Sequence, residues 1–228
     1  MRIIILILLA ASLAGCHGRM FGTVSDSGHI EPIPKSGVHR VVHGETLYSI
    51  SWRYGLDYRK VQKRNALENR QIYSGELIYL RGYSPRAEKL ALAHASHKAA
   101  AEKEPIAAVK VWHWPANGPV IGAFYVLNRG INISGREGDP IYAAAAGKVV
   151  YSGDGLRNYG NLIIIKHNSM FLTAYAHNAK NLVQRGDWVK PGQEIAEMGS
   201  TGTNRTMLHF EIRKSGEPVN PLNYLENT

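Results

Sequence analysis

The sequence predicts an α+β multidomain chain: a small βααβ domain followed by a mainly-β sandwich. Three observations carry this. Between His39 and Gly82, two short strand-like runs enclose two stretches with apolar residues at helical spacing. From about Val109 onward, glycine and β-branched residues rise, and short apolar runs sit between turn residues. Between these regions, Tyr83 to Ala108 is rich in Ala, Lys, Glu and His, with Pro85 and Pro105 near its ends. That composition fits a helical spacer and a disordered linker alike. With 228 residues, 44% hydrophobic and 20% charged, the chain has room for two modest cores. The expected divisions are 1–15, 16–38, 39–82, 83–108 and 109–228.

In the first domain, Arg40-Val41-Val42 reads as a strand and His43-Gly44-Glu45-Thr46 as a turn and cap. Leu47, Ile50 and Tyr54 then share one helix face, and Gly55 ends that helix. Asp57 suits the cap of a second helix, with Val61 and Leu67 pointing inward. After the Ser74-Gly75-Glu76 turn, Leu77 to Leu80 reads as the closing strand.

In the second domain, Gly138 to Tyr151 reads as a turn, a strand, a tight glycine turn and another strand. Tyr159 to His167 is the strongest strand in the chain. Phe171 to His177 alternates, a turn precedes Glu194-Ile195-Ala196, and Leu208 to Arg213 alternates again. Many short strands joined by glycine turns indicate a compact β-sandwich or barrel.

The amino terminus sets the compartment. Met1-Arg2 is a short positive start, and Ile3 to Ala14 is apolar or small but for Ser12. Twelve helical residues span about 18 Å, too short for a bilayer core of about 30 Å, so the segment reads as a secretory signal peptide. Residues 17–37 carry Gly, Ser and Pro without apolar period and read as a tether. The formal net charge is +9. It is spread out: eight Lys/Arg against four Asp/Glu from His39 to Gly82, and twelve against nine from Ala108 to Thr228. No dense basic run of the kind that binds nucleic acid is present, so no nucleic-acid partner is expected. Cys16 is the only cysteine, which excludes a disulfide framework, a cysteine zinc site and a cysteine nucleophile paired with histidine in the folded domains.

Leu13-Ala14-Gly15-Cys16 resembles the lipobox of bacterial lipoproteins. The resemblance implies cleavage before Cys16, acylation of its thiol and, with His17 rather than Asp next, an outer-membrane lipid anchor facing the periplasm. Several acyl chains make a durable anchor where one binds only marginally. His43-Gly44-Glu45-Thr46-Leu47-Tyr48-Ser49-Ile50, with Asn65, Ile72, Gly75, Glu76, Leu77 and Leu80, resembles the LysM domain. That implies binding to the N-acetylglucosamine-containing glycan strands of peptidoglycan. The glycan-binding positions carried over are Gly44, Glu45, Thr46, Ile72, Tyr73 and Ser74. Leu47 and Ile50 are core by their spacing.

Five motifs together are similar to the LytM (lysostaphin-type) zinc endopeptidases. They are Gly160 to His167, Tyr175-Ala176-His177, Pro191-Gly192-Gln193, Met198 to Gly202 and Leu208 to Arg213. Active members hold zinc through a His-x-Gly-x-Asp pattern and the second His of a late His-x-His. The first His of that pair and the His of Tyr-Ala-His are catalytic. Here the ligand positions fall on Asn128 and Asn132, and the first His of the late pair is Met207. Only His177 and His209 are retained. A catalytic zinc needs three protein ligands, and a carboxamide is a poor one, so no metal, no cofactor and no hydrolysis are expected. His177 and His209 then read either as structural groups or as part of a binding surface. His94 and His97, in the linker, carry no pattern.

Anchor, LysM domain and degenerate LytM domain in this order resemble the NlpD-type lipoproteins. The resemblance implies a non-catalytic activator of periplasmic N-acetylmuramyl-L-alanine amidases that promotes septal wall splitting. The partner-binding groove candidates are Tyr125, Asn128, Arg129, Asn132, His177, Met207 and His209, a mixture that suits a protein interface. Two alternatives stay open: a zinc-dependent peptidoglycan endopeptidase with a non-standard site, and a passive wall tether.

Overall fold

The computed structural model describes residues 30–82, 84–88, 109 and 111–226. The signal peptide, Cys16, most of the tether and nearly all of the 83–108 linker, with His94 and His97, lie outside the described residues.

The first domain is the expected βααβ unit. Strand β1 (Val38–Arg40) pairs antiparallel with β2 (Leu77–Tyr79), and α1 (Leu47–Arg53) and α2 (Tyr58–Arg64) lie between them in sequence. Thr46 caps α1 in a capping box: its hydroxyl accepts from the Ser49 N–H, and the Ser49 hydroxyl accepts from the Thr46 N–H. Asp57 caps α2 through the Arg59 N–H. Leu47, Ile50, Tyr54, Val61, Leu67 and Ile78 meet in one core.

Two details differ from the sequence reading. The first strand is centred two residues earlier than Arg40–Val42, because the Glu45 carboxylate accepts the Val42 N–H and turns the chain there. The described end of the tether is also folded: the Glu31 N–H donates to the Arg53 carbonyl, and Ile33 packs on the core.

The second domain is built on one antiparallel sheet. Its strands are β3 (Val120–Gly122), β4 (Ile131–Ser134), β5 (Pro140–Tyr142), β6 (Gly147–Gly153), β7 (Asn161–Lys166), β8 (Phe171–Asn181), β9 (Trp188–Val189), β10 (Glu194–Met198), β11 (Met207–Lys214) and β12 (Glu217–Val219). The order is β3-β4-β11-β8-β7-β6-β9, with β10 pairing β5 and β8, and β12 pairing β11. Strands β3, β4, β9 and β12 were not expected from the sequence, which reads Asp187 to Gln193 as a turn. They are short, and β3 is an edge strand with exposed valine and isoleucine.

Both sheet faces are buried, in different ways. Ile131, Ile133, Ile163, Ile165, Tyr175, Leu208, Phe210 and Ile212 form the main core with Ile141 of β5 and Ile195 of β10. On the other side, Leu162, Ile164, Ala174 and Ala176 are covered by Tyr159 and Leu156, and by Trp52 and Tyr58 from the first domain. The unbroken apolar run Leu162 to Ile165 follows from this, since a strand covered on both faces need not alternate.

Polar contacts fix the two domains together. The Trp52 indole N–H donates to the Tyr159 hydroxyl at 3.1 Å, and Arg53 donates to the Gly155 carbonyl at 3.0 Å. At the β11–β12 turn, a Cβ at Gly216 would lie 2.6 Å from the Asp57 nitrogen, so the turn needs glycine for close approach to α2.

Candidate functional site

Strand β11 carries the site because its two faces are chemically different. Leu208, Phe210 and Ile212 enter the main core, while Met207, His209, Glu211 and Arg213 share the opposite face. All four on that face are buried. Strand β4 lies on one side, with Asn132 opposite His209, and β8 on the other, with Ala176 opposite His209.

The sequence positions Asn132, His177, Met207 and His209 therefore converge. The His209 Nδ1 lies 2.7 Å from the Asn132 side-chain oxygen, and its Nε2 lies 3.2 Å from Glu211 Oε1. Both ring nitrogens are thus engaged within the protein. Asn128 turns inward instead, donating to the carbonyls of Ala123 and Gly130 at 2.9 Å each. Its amide holds the loop ahead of β4 and lies on no shared donor set with His209. Arg129 follows with φ +55°, a left-handed conformation uncommon for a non-glycine residue.

His177 also has φ +68° and is fully buried. Its Nδ1–H donates to the Thr201 carbonyl at 2.8 Å, which fixes the tautomer. Burial, with His209 only 6.2 Å away between ring centroids, pushes its pKa down to about 4, against the opposing pull of that carbonyl. Gly160 shapes this corner. A Cβ there would fall 2.1 Å from the Thr201 oxygen, so only glycine lets the two loops meet.

A zinc ion does not fit these residues. It would need three donors with lone pairs facing one point. Asn128 points elsewhere, Met207 contributes a weak thioether, and the His209 nitrogens are both occupied. Among the described residues no three His, Cys, Asp or Glu side chains group as a metal site.

Sequence reasoning missed what lies beneath His209. Glu211 pairs with Arg213 at 3.0 Å and accepts a 2.6 Å hydrogen bond from the Tyr159 hydroxyl. Burial opposes ionisation of Glu211, but Arg213, His209 and Tyr159 outweigh it and hold its carboxyl below the usual range. Burial and that carboxylate push the Tyr159 hydroxyl far up, so it stays protonated as a donor. The signal was available: polar residues at 209, 211 and 213 share one strand face, which requires partners if that face is covered.

In the chain just ahead of Asn128 and β4, the surface is apolar. Tyr125, Val126 and Leu127 are 53%, 82% and 56% exposed, and Val120 and Ile121 of the edge strand adjoin them in sequence. Only Tyr125 of this group was expected.

The LysM-like positions divide. Glu45 is turned inward, 2.7 Å from His39 and 2.8 Å from Arg53. Thr46 is occupied as the α1 cap. Gly44, Tyr73 and Ser74 are exposed, and Ile72 is half-buried against the core.

The model of the LysM domain family matches residues 39–81, and that of Peptidase family M23 matches residues 126–221. A Pseudomonas aeruginosa protein named Lipoprotein NlpD/LppB homolog is 40% identical over 83% of this chain and 77% of its own length. The uncharacterized lipoprotein YgeR of Escherichia coli is 38% identical over 98% of this chain and 92% of its own. The E. coli protein named Murein hydrolase activator NlpD is 56% identical over 51% of this chain, a region that spans 32% of that relative.

Proposed function

The chain belongs to the NlpD/LppB family of lipoproteins, with a LysM domain ahead of an M23 domain, and from that premise we propose that it is a non-catalytic activator of periplasmic amidases. In this reading, Cys16 carries the outer-membrane lipid anchor, and the LysM domain binds peptidoglycan glycan strands. The M23 domain contacts an N-acetylmuramyl-L-alanine amidase and favours its active form. Such an activator works through differential affinity for the partner's two states and needs no chemistry of its own.

One observation carries the reading. The M23 site is closed by its own hydrogen bonds, Asn132 to His209 to Glu211, while an apolar edge at Tyr125, Val126 and Leu127 stays exposed next to it in the chain. A self-satisfied polar floor offers no metal ligand and no activated water. An exposed apolar rim suits a partner's helix or loop.

The test is amidase turnover on dye-labelled sacculi with wild-type protein and with Tyr125→Ala or Val126→Asp. These side chains are exposed, so the fold should survive, and stimulation should fall about tenfold if they are hot spots. Stimulation unchanged by both variants would move the contact elsewhere. No stimulation of any amidase from the same organism would leave a passive wall tether. Cross-link cleavage by the protein alone would restore the endopeptidase reading.

A further inference from the structure

One cleft in the described structure lies apart from the Asn132–His209 site. It lies between the domains, about 750 Å³ in volume, within the range of about 300–1,000 Å³ usual for ligand sites. One wall is the LysM loop 69–72 with Thr46 and Tyr48. The other is the outer face of β6 and β9 with the turn before β9. Arg70, Lys148, Lys166 and Arg185 line it, against a single carboxylate, Glu45, which is paired with Arg53 and hydrogen-bonded to His39. At its M23 edge stands Trp188, 75% exposed, with the Lys148 ammonium 5.8 Å from its ring centroid. The fold does not need that indole outside, since Val189 supplies the buried side chain of β9.

We propose that this cleft is a composite wall-binding site, in which the M23 domain's Trp188, Lys148 and Arg185 grip the glycan strand and its acidic stem peptides from the side opposite the LysM loop. It rests on the reading that the LysM domain binds glycan. Three features fit that ligand. A flat indole stacks on the C–H face of a pyranose ring, and such aromatic platforms combine apolar area with low entropy cost. Stem peptides carry free carboxylates, which the excess of cations complements. The docking of Trp52 and Arg213 holds the two walls in a fixed relation, so the site is preformed and little ordering cost remains on binding. The M23 domain then has a second use, as half of the wall anchor, at the β6–β9 edge of the sheet and three strands along from the β11 strand that carries His209.

The experiment is sedimentation of the full chain in detergent with two substrates at physiological salt. One is intact sacculi, and the other is glycan strands stripped of their stem peptides. Trp188→Ala should weaken binding to both about tenfold, the effect of losing one aromatic anchor. The double variant Lys148→Glu with Arg185→Glu should lose binding to intact sacculi by at least as much and keep its binding to bare glycan. All three side chains are exposed, so an unchanged thermal midpoint checks the fold. If the wild type binds and these variants bind equally well, the composite cleft is wrong and the LysM domain acts alone. If the wild type binds neither substrate, the glycan-binding reading fails and the cleft proposal with it.

Discussion

Each domain holds a histidine–glutamate–arginine triad, and the two are built differently. In the LysM domain, Glu45 bridges His39 at 2.7 Å and Arg53 at 2.8 Å. Its members come from β1, the following turn and the end of α1, and His39 also meets the Tyr54 hydroxyl. In the M23 domain, Glu211 bridges His209 at 3.2 Å and Arg213 at 3.0 Å, from alternate positions of one strand. Both carboxyls face desolvation, and in both the paired groups outweigh it and hold the pKa low. The first triad closes a turn inside one small domain. The second is fully buried and reaches into the other domain, where Arg213 donates to the Trp52 carbonyl and lies 3.6 Å from its ring centroid. The lesson is that the second triad serves as a structural joint between the domains. His209, Glu211 and Arg213 satisfy one another, and Arg213 holds the LysM domain in place through Trp52.

That contrast sets the size of several effects. The largest should come from Arg213→Met, which takes the guanidinium from the fully buried Glu211, leaving it only His209 and the Tyr159 hydroxyl, and also removes the contact with Trp52. It should cost about 3–5 kcal/mol, read as a lowered urea midpoint. A cost below about 1 kcal/mol would mean the buried triad holds nothing. Next, Trp52→Ala removes the indole from the guanidinium and the donor from Tyr159. We expect a loss of about 3 kcal/mol and separation of calorimetric unfolding into two transitions. A single unchanged transition would show that the domains are not coupled there.

Acidification probes the same joint through His177. Its folded pKa of about 4 lies below the ordinary 6.5, so below pH 6.5 the unfolded chain binds the extra proton. Stability is therefore fully present above pH 6.5 and lost as pH falls toward 4, by about 2 kcal/mol between pH 7 and 5 for this one group. His177→Asn, which tolerates the positive φ, should flatten that slope. An equal slope in the variant would assign the loss to other groups. The smallest effect should be Arg53→Met in the LysM triad. That guanidinium is nearer the surface, and Glu45 keeps His39 and the Val42 N–H, so about 1 kcal/mol is expected.

Much of the local architecture was legible in the sequence. The helical spacing of Leu47, Ile50 and Tyr54, the caps at Thr46 and Asp57, and the alternation of Leu208 to Arg213 each specify an element. What stayed hidden depends on partners distant in sequence. Strand β4 reads weakly because it is only four residues long, so its alternation of Ile131 and Ile133 with Asn132 and Ser134 is too short to stand out. The β1 boundary shifted because a side chain, Glu45, ends the strand. At the site, the motif positions were readable one by one, but Asn132 and His209 are 77 residues apart, and nothing local shows that they bond. The inward turn of Asn128 was equally hidden. The run Leu162 to Ile165 reads as a strong strand, and its lack of alternation is explained by cover on both faces. Only the fold shows that Trp52 and Tyr58 of the LysM domain take part.

The central claim is that the M23 domain acts by contact and not by hydrolysis. The most direct measurement is dye release from labelled sacculi by the purified full chain with zinc supplied, alone and together with a purified amidase from the same organism. No release above background is expected from the protein alone, and stimulated release is expected when the amidase is present. Release by the protein alone, rising with added zinc, would contradict it.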